Sequence, residues 1–373
     1  MTIGTNKVPY IRAILKSIAD WRGGEKSSMR EDFDLEKLFD LQKKIIPELI
    51  NTLIERYNIL RLIYFHQPIG RRNLSAALGM GERVIRGEVN FLKEQGFIEI
   101  KAEGMNTTEL GENTLETLKH FIHRFKGLTS IEDQIEKRLN IKKAIIVPGN
   151  ANEDPMVLRE IGKVTSAYLK SLLRPNTVVG VTGGRTMATI AEEMVEDTTK
   201  KMNITVIPAR GGLGKDVEKQ ANTIAASLAK KLGGSYKLLY MPDHISKDIL
   251  TSLYEDPHIR DAMDFVQKIE VLLFGIGRAD KMASRRGLSQ DKIEELIQHS
   301  AVAEAFGYYF NKNGEIVEEI NTIGVSLNHY KELKHIIGAA TGVEKAEAVM
   351  AISKLNPNMV LVIDEGLAIE ILK

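Results

Sequence analysis

The sequence predicts an α/β protein built from two unlike parts: an N-terminal winged helix-turn-helix, then a doubly wound, mostly parallel α/β domain. Three observations predict it. Between Tyr57 and Leu110 the chain reads helix, short helix, turn, helix and β-hairpin, the order of a winged helix-turn-helix. From Ala144 to the C-terminus, short apolar runs alternate with helical patterns, as expected of parallel strands joined by crossover helices. A chain of 373 residues, 43% of them hydrophobic, is too long for one ordinary domain and apolar enough for more than one core.

Composition narrows the class further. The 27% charged share suits a solvated surface, and no run reaches the roughly 20 apolar residues that cross a bilayer, so no membrane partner is expected. Lys7, Arg12 and Lys16 interrupt the apolar residues of the N-terminus, and no secretory pattern follows, so a cytoplasmic location is expected. With no cysteine there is neither a disulfide nor a thiolate metal site. The eight histidines are scattered without paired spacing, so no metal and no cofactor is expected. A net charge of +1 excludes a polycation, and any nucleic-acid binding must come from local placement of charge.

Residues 1–33, with Gly23-Gly24 and Ser27-Ser28, show no sustained period and read as a loosely ordered arm. A helical pattern begins at Asp34, with Leu38, Leu41, Ile45, Leu49, Leu53 and Tyr57 spaced by three or four; Pro47 is expected to kink or divide it. The winged domain, 34–112, continues with a helix over Asn58–Phe65, a turn at Pro68-Ile69-Gly70 and a short helix over Asn73–Leu78. A tight connection at Gly79–Gly81 leads to a second helix, Glu82–Gln95, ended by Gly96. That helix should bury Val84, Ile85, Val89 and Leu92. Phe97–Ile100 and Met105–Thr107 read as strands around Ala102-Glu103-Gly104. Leu115–Leu139 is read as helical within a linker, 113–140, that leads to the second domain, 141–373. There the expected strands are Ala144–Val147, Thr177–Val181, Ile204–Ile207, Lys237–Tyr240, Val271–Phe274, Ile336–Ile337 and Met359–Ile363.

In a helix-turn-helix, the first turns of the second helix face base edges in the major groove. Here they carry Glu82, Arg83, Arg86 and Asn90. Arg83, Arg86 and Asn90 share one face, opposite the expected apolar stripe. Arginine can fork onto guanine and asparagine onto adenine. Arg71, Arg72 and Lys101 are placed for phosphates, which fix register without reading sequence. Over 71–101 the six basic residues exceed the four glutamates by only two, so direction matters more than bulk charge. Gly87 costs about 1 kcal/mol relative to alanine inside a helix; it is expected to allow close approach to the preceding helix. The same arginines also suit a solvated face in a protein–protein module.

Three glycine-bearing loops follow predicted strands: Val181-Thr182-Gly183-Gly184-Arg185-Thr186, Pro208-Ala209-Arg210-Gly211-Gly212-Leu213-Gly214, and Gly338-Ala339-Ala340-Thr341-Gly342 with Lys345 just beyond. Open α/β sheets bind ligands at the carboxyl ends of their strands. Exposed backbone N–H groups and helix N-termini favour anions, and arginine and lysine supply charge. None of the loops is a Walker motif or a dinucleotide fingerprint. Together they point to a phosphorylated ligand, although a glycine turn after a strand is individually routine.

Several stretches resemble the SorC family of sugar-responsive regulators: Gln67-Pro68-Ile69-Gly70-Arg71-Arg72, Glu82-Arg83-Val84-Ile85-Arg86-Gly87-Glu88, Phe91-Leu92-Lys93-Glu94-Gln95, the loop from Pro208 to Gly214, Gln220-Ala221-Asn222-Thr223-Ile224, and Glu304-Ala305-Phe306-Gly307-Tyr308-Tyr309-Phe310. The resemblance covers roughly residues 38 to 373. It implies a repressor of a glycolytic operon, with fructose 1,6-bisphosphate or a related sugar phosphate as effector. It also implies an effector domain related to sugar-phosphate isomerases that has lost catalysis, so no catalytic residue is assigned. Carried over by position, ligand contacts fall on Thr186, Arg210, Gln220, Arg285, Glu304 and Lys345, with backbone help from Gly183, Gly184, Gly211 and Gly212. One departure stands out: where the family's glycine loop continues with two threonines, this chain has Arg185-Thr186, and Arg185 either adds a guanidinium to a phosphate or drops a hydroxyl contact.

Bland readings accompany these assignments. Gln220 also suits a helix surface, Arg285-Arg286 an exposed pair of which one meets ligand, and Glu304 a structural ion pair. Lys345 opens a helix, where the dipole disfavours a cation and a bound anion would account for it. The expected partners are operator double-stranded DNA, a sugar-phosphate effector and further copies of the chain, since symmetric half-sites need at least a dimer; a tetramer fits equally. The rival is an isomerase-like enzyme with an accessory winged helix. It would need a positioned acid/base pair, for which Glu304 and Asp280 qualify by residue type alone.

Overall fold

The computed structural model describes residues 47–196, 202–212, 216–239, 257–320 and 323–373. The expectations for the arm, for the helix rising from Asp34 ahead of Pro47, and for Leu213, Gly214 and Tyr240 lie outside them.

The first domain runs through α1 (Pro47–His66), α2 (Arg71–Leu78), α3 (Glu82–Glu94), the hairpin β1 (Ile98–Ile100) and β2 (Met105–Thr107), and α4 (Glu109–Phe125). Ile59, Leu60, Ile63, Leu74, Ile85, Val89, Leu92, Ile98 and Met105 form its core. Pro47 is the first described residue of α1. Gly79, at a φ of +63°, ends α2 in the left-handed conformation and turns the chain into α3. Ile69 forms an antiparallel bridge with Met105, adding a third extended segment to the wing. A Cβ on Gly104 would come within 2.9 Å of the Ile69 backbone there, so the close approach needs glycine.

Two expectations fail in α3. Val84 is not buried but 52% exposed. The buried residues Ile85, Val89 and Leu92 already supply a stripe at four- and three-residue spacing, and Val84 lies one residue step, about 100°, off its centre. Gly87 does not face α2: a Cβ there would meet nothing within 4 Å. The expected linker helix also divides. Gly127, at a φ of +68°, separates α4 from α5 (Leu128–Leu139). Leu115 and Ile122 of α4 pack into the winged core, whereas Leu128, Ile135 and Leu139 of α5 pack into the second domain.

That domain is centred on seven strands: β3 (Lys143–Val147), β4 (Val178–Val181), β5 (Thr205–Pro208), β6 (Ser235–Tyr236), β7 (Val271–Gly275), β12 (His335–Ala340) and β13 (Met359–Asp364). They lie in the order β3-β13-β12-β7-β4-β5-β6, and every pairing is parallel. Four of the strands are buried along their whole length or nearly so, as expected of a sheet covered on both faces. One face is covered by α6 (Pro155–Leu172), α7 (Arg185–Glu193) and α8 (Ala221–Lys231). The other is covered by α5, α9 (Pro257–Gln267), α12 (Leu327–Glu332), α13 (Ala346–Ser353) and α14 (Glu365–Leu372). The strand expected at Lys237–Tyr240 lies earlier, as β6, because Gly234 folds back on α8 through its N–H to the Ala229 carbonyl and brings Ser235 beside β5.

A second, antiparallel sheet was not anticipated: β8 (Gly277–Arg278), β9 (Ala301–Ala305), β10 (Tyr308–Asn311) and β11 (Ile316–Glu319). With α10 (Ala279–Arg285) and α11 (Gln290–Gln298) it buries a small core around Ala283, Leu296 and Tyr309. The alanines of β9 carry little strand preference, so the pattern is silent there.

The two domains meet where α1 packs against α6. Arg61 pairs with Asp154 and, at 3.0 Å, with Glu160. Arg159 donates to the Phe65 carbonyl at 2.6 Å and Lys163 to the Tyr64 hydroxyl at 2.7 Å. A cavity of about 200 Å³ lies beside this contact. Glu112, Glu116 and Glu160 line it together with Arg61, Lys119 and Lys163, so its charges balance.

Candidate functional site

On the winged domain, Glu82, Arg83, Arg86 and Asn90 all stand exposed on α3. Arg71 and Arg72 open α2 and are exposed, and Lys101 is exposed on the hairpin, 2.5 Å from Glu99. All seven residues are solvent-facing, and Arg72 Nε lies 4.0 Å from Glu82 Oε1. The inner side of α3 is fastened differently. Glu88 accepts from Arg56 Nε at 2.7 Å, and the Arg56 guanidinium lies 3.6 Å from the centre of the Phe91 ring. This holds α3 on α1 and leaves its outer side open.

On the second domain, β4 and β7 are neighbours from which the chain leaves in opposite directions, towards β5 and β6 and towards β12 and β13. Such a switch point opens a crevice at the carboxyl ends of the strands. Thr182 lies there, its hydroxyl accepting from the Gly275 N–H at 3.1 Å. The three loops follow β4, β5 and β12, so they border this crevice. Gly184 caps α7 at a φ of +114°, and Arg185 and buried Thr186 form its first turn, where N–H groups have no partner within the helix. Gly338 lies inside β12, where a Cβ would press on Met359 and Phe274, so the third loop is only the turn at Thr341-Gly342 with the 3-10 turn Val343–Lys345.

Electrostatics ties these loops together. Burial pushes the Lys345 ammonium below the usual lysine range; the neighbouring Glu344 and Asp364 carboxylates oppose that, and the Arg285 and Arg185 guanidiniums add to it. Both guanidiniums thus act on Lys345, which follows β12 at the carboxyl end of the sheet. Asp216 is held below the usual carboxylate range, first by Lys219 at 2.7 Å and then by the charge of Arg285. Gln220 caps α8 beside Gly183, where a Cβ would lie 2.7 Å from the Lys219 carbonyl.

Two backbone assignments need correction. The Gly184 N–H donates to the Lys219 carbonyl at 2.9 Å, and the Gly211 N–H to the Ile323 carbonyl at 3.0 Å. These amides hold the loops in shape and are not free to cradle an anion. Gly183 and Gly212 are half-buried in the loops.

Glu304 lies at the centre of a buried ionic cluster. One of its oxygens accepts from Arg210 Nη1 at 3.1 Å, Arg286 Nη2 at 2.7 Å and the Gly307 N–H at 3.0 Å. Arg286 also donates to the Tyr309 hydroxyl at 2.8 Å. Burial would push the Glu304 carboxyl up, but the Arg210 and Arg286 guanidiniums outweigh it and hold the group below the usual carboxylate range. Of the two arginines at 285 and 286, Arg286 is built into this cluster, with its side chain 2% exposed, while Arg285 ends α10 and is exposed. Asp216 and Asp364 went unmarked in the sequence, Tyr309 stood only within a family-like stretch, and Arg286 only as half of a pair of which one was expected to meet ligand. The doubled arginine was the one available signal, and it does not say which member turns inward.

Asp364, at the end of β13, accepts from the Gly342 N–H at 3.1 Å and the Ala151 N–H at 3.3 Å. Asn152, in the same loop as Ala151, accepts from the Val343 N–H and donates to Glu344, both at 3.1 Å. That loop ends at Asp154, which caps α6 and pairs with Arg61 of α1. Short polar contacts therefore run from the Lys345 turn to the winged domain. Among the described residues no group of histidine and carboxylate side chains could hold a metal ion, and no helix is long and apolar enough to cross a membrane.

A winged helix joined to a doubly wound sheet, with cations gathered at the carboxyl ends of its strands, is the build of a DNA-binding regulator that answers to a ligand. Comparison with known proteins agrees. Residues 52–122 match the family described as "CggR N-terminal DNA binding domain" and residues 123–373 the family "Putative sugar-binding domain". The chain is 41% identical to the central glycolytic genes regulator of Bacillus subtilis over 339 residues, 91% of this chain and 99% of that protein. It is 38% identical to the regulator of the same name from Priestia megaterium, with the same coverage of each. Among solved structures, a SorC family transcriptional regulator from Enterococcus faecalis aligns with a TM-score of 0.62 at 37% identity, over 65% of this chain and all of that one. The full-length sorbitol operon regulator SorC of Klebsiella pneumoniae shares the fold, with a TM-score of 0.62 at 18% identity over 87% of this chain and 99% of that one. The chain belongs to the SorC family of sugar-binding transcriptional regulators. These relatives are regulators rather than enzymes, and so is this chain, which sets the isomerase reading aside.

Proposed function

We propose that this protein is a cytoplasmic repressor of a glycolytic operon that binds operator double-stranded DNA as a homo-oligomer and is released by fructose 1,6-bisphosphate. The observation that carries the effector half is Lys345. An ammonium destabilised by burial and by two guanidiniums is relieved by an anion, and a phosphate between Lys345, Arg285 and Arg185 meets that need. Thr186 and the N-terminus of α7 lie in the same loop, and Gln220 beside it suits a sugar hydroxyl. Arg210 presents its guanidinium from the second loop, and in this reading Glu304 and Arg286 hold it there rather than touching ligand. The names of the relatives at 41% and 38% identity support the operon class.

Arg83, Arg86 and Asn90 read base edges, with Glu82 at the head of the helix, and Arg71, Arg72 and Lys101 hold phosphates. Release follows if the ligand favours an arrangement that grips DNA poorly. The contacts from the Lys345 turn through Asn152 and Asp154 to Arg61 offer a polar route for that preference. Calorimetry on the full chain with fructose 1,6-bisphosphate and fructose 6-phosphate tests the proposal. The bisphosphate should bind much more tightly, and Lys345→Ala should lose at least about tenfold, as one charge-assisted contact is worth about 1.5–3 kcal/mol. Operator affinity without ligand should not change. Equal, tight binding of both sugars would point to a single phosphate clamp and a monophosphate effector.

A further inference from the structure

Four glycines lie inside described helices, and three have a steric reason. A Cβ on Gly111 would collide with the Phe97 carbonyl, one on Gly162 would come within 3.0 Å of the Thr189 carbonyl, and one on Gly366 within 2.9 Å of the Asn150 side chain. Gly87 has none. It sits mid-helix in α3 without the positive φ that would require glycine, is exposed, and a Cβ would meet nothing within 4 Å. The folded chain thus gives no reason for a residue that weakens a helix more than any other except proline. Its position does. Gly87 falls between Arg83 and Asn90 at the centre of the exposed face, opposite Ile85, Val89 and Leu92. Val84, one turn away, is the exposed apolar side chain of the same face.

We propose that Gly87 is where the backbone of α3 meets the edges of the base pairs, and that Val84 beside it takes the methyl group of a thymine. This rests on the reading of α3 as the DNA-reading helix. A helix without a side chain at the centre of its contact face lies closer to the groove floor, which lets Arg83, Arg86 and Asn90 reach base edges from both flanks. A methyl group at position 87 would lift the helix by about its own thickness and stretch several hydrogen bonds at once, and these weaken steeply with distance and angle. Val84 then covers apolar surface in the one place the major groove offers it, the thymine methyl. A protein partner is the less favoured occupant, since arginine and asparagine donors flank the glycine.

The test uses full-length protein and a duplex selected by the wild type from a random pool, with Gly87→Ala, Val84→Ala and Arg86→Ala measured for duplex affinity, salt dependence and Tm. Gly87→Ala should raise Tm, because alanine favours the helix, yet weaken the selected duplex about tenfold or more without changing the salt slope, since no charge is lost. Replacing the selected thymines one at a time by deoxyuridine should weaken wild type at one position and leave Val84→Ala unaffected there. A fall in Tm for Gly87→Ala would show a structural glycine and overturn the proposal. So would undiminished affinity for Gly87→Ala alongside a loss for Arg86→Ala, which would keep α3 as the reading helix. No loss for either variant would overturn both readings, and a Gly87→Ala chain of altered assembly mass would assign the face to protein contact. Wild-type affinity indifferent to every deoxyuridine would overturn the role of Val84.

Discussion

Arginine does opposite work in the two domains. On α3, Arg83 and Arg86 extend into solvent from a helix fastened by its other side. Around Glu304, Arg210 and Arg286 are withdrawn from solvent and locked onto one carboxylate oxygen. The first arrangement keeps long side chains mobile until a partner orders them. The second spends ionic interactions in advance so that one guanidinium keeps a fixed direction. A surface that searches many DNA sites benefits from the first, and a pocket that must distinguish small molecules benefits from the second.

The largest effect should come from breaking the locked cluster. Glu304→Ala would leave two guanidiniums buried without their carboxylate, and removing one partner of a buried pair costs about 3–5 kcal/mol. Denaturant unfolding should show that loss in the second domain, with the winged domain spared; a cost near zero would mean the cluster is looser than its geometry. At acid pH the same contacts give a sign. The Glu304 carboxyl is held low in the fold, so its contribution is fully present above the ordinary glutamate value of about 4.3 and is lost as pH falls below it through the depressed value.

Next come the solvated arginines. Arg86→Ala should cost about 1–3 kcal/mol of specific binding, whereas Arg71→Ala should weaken all duplexes alike and lower the salt slope by about one. Equal, sequence-independent losses would erase the distinction between reading and positioning residues. A smaller effect, about 0.5–2 kcal/mol of coupling, is expected of Asn152→Ala, which removes the side chain between Glu344 and Val343. This variant should bind effector and operator separately about as well as wild type but release DNA less completely when effector is added. Unchanged release would place the coupling elsewhere. The smallest effect is a proton count. The Lys345 ammonium has a depressed pKa in the fold, and an anionic ligand raises it again. Effector binding should therefore take up protons on the alkaline side and weaken there at a pH below the ordinary lysine range, which calorimetry in buffers of different ionisation enthalpy measures.

Much of this was legible before any coordinates. Local periodicity marked α2, α3, the wing hairpin and six of the seven parallel strands to within a few residues, because each is a contiguous stretch whose burial follows a period of its own. Glycine loops after strands pointed to the carboxyl ends of the strands, where the proposed site lies, for the same reason: strand, turn and helix are neighbours in the chain. Tertiary packing alone decided the rest. It exposed Val84, since which residues of a helix are covered depends on what packs against it. It assigned the amides of Gly184 and Gly211 to carbonyls on other segments, Lys219 and Ile323. It turned Arg286 inward and left Arg285 at the surface, and it joined Arg61 to Asp154 across 93 positions of chain. A sequence states what each side chain can do over a few neighbouring residues; whether a charge is buried, and which partner takes each hydrogen bond, is settled by segments that become neighbours only when the chain has folded.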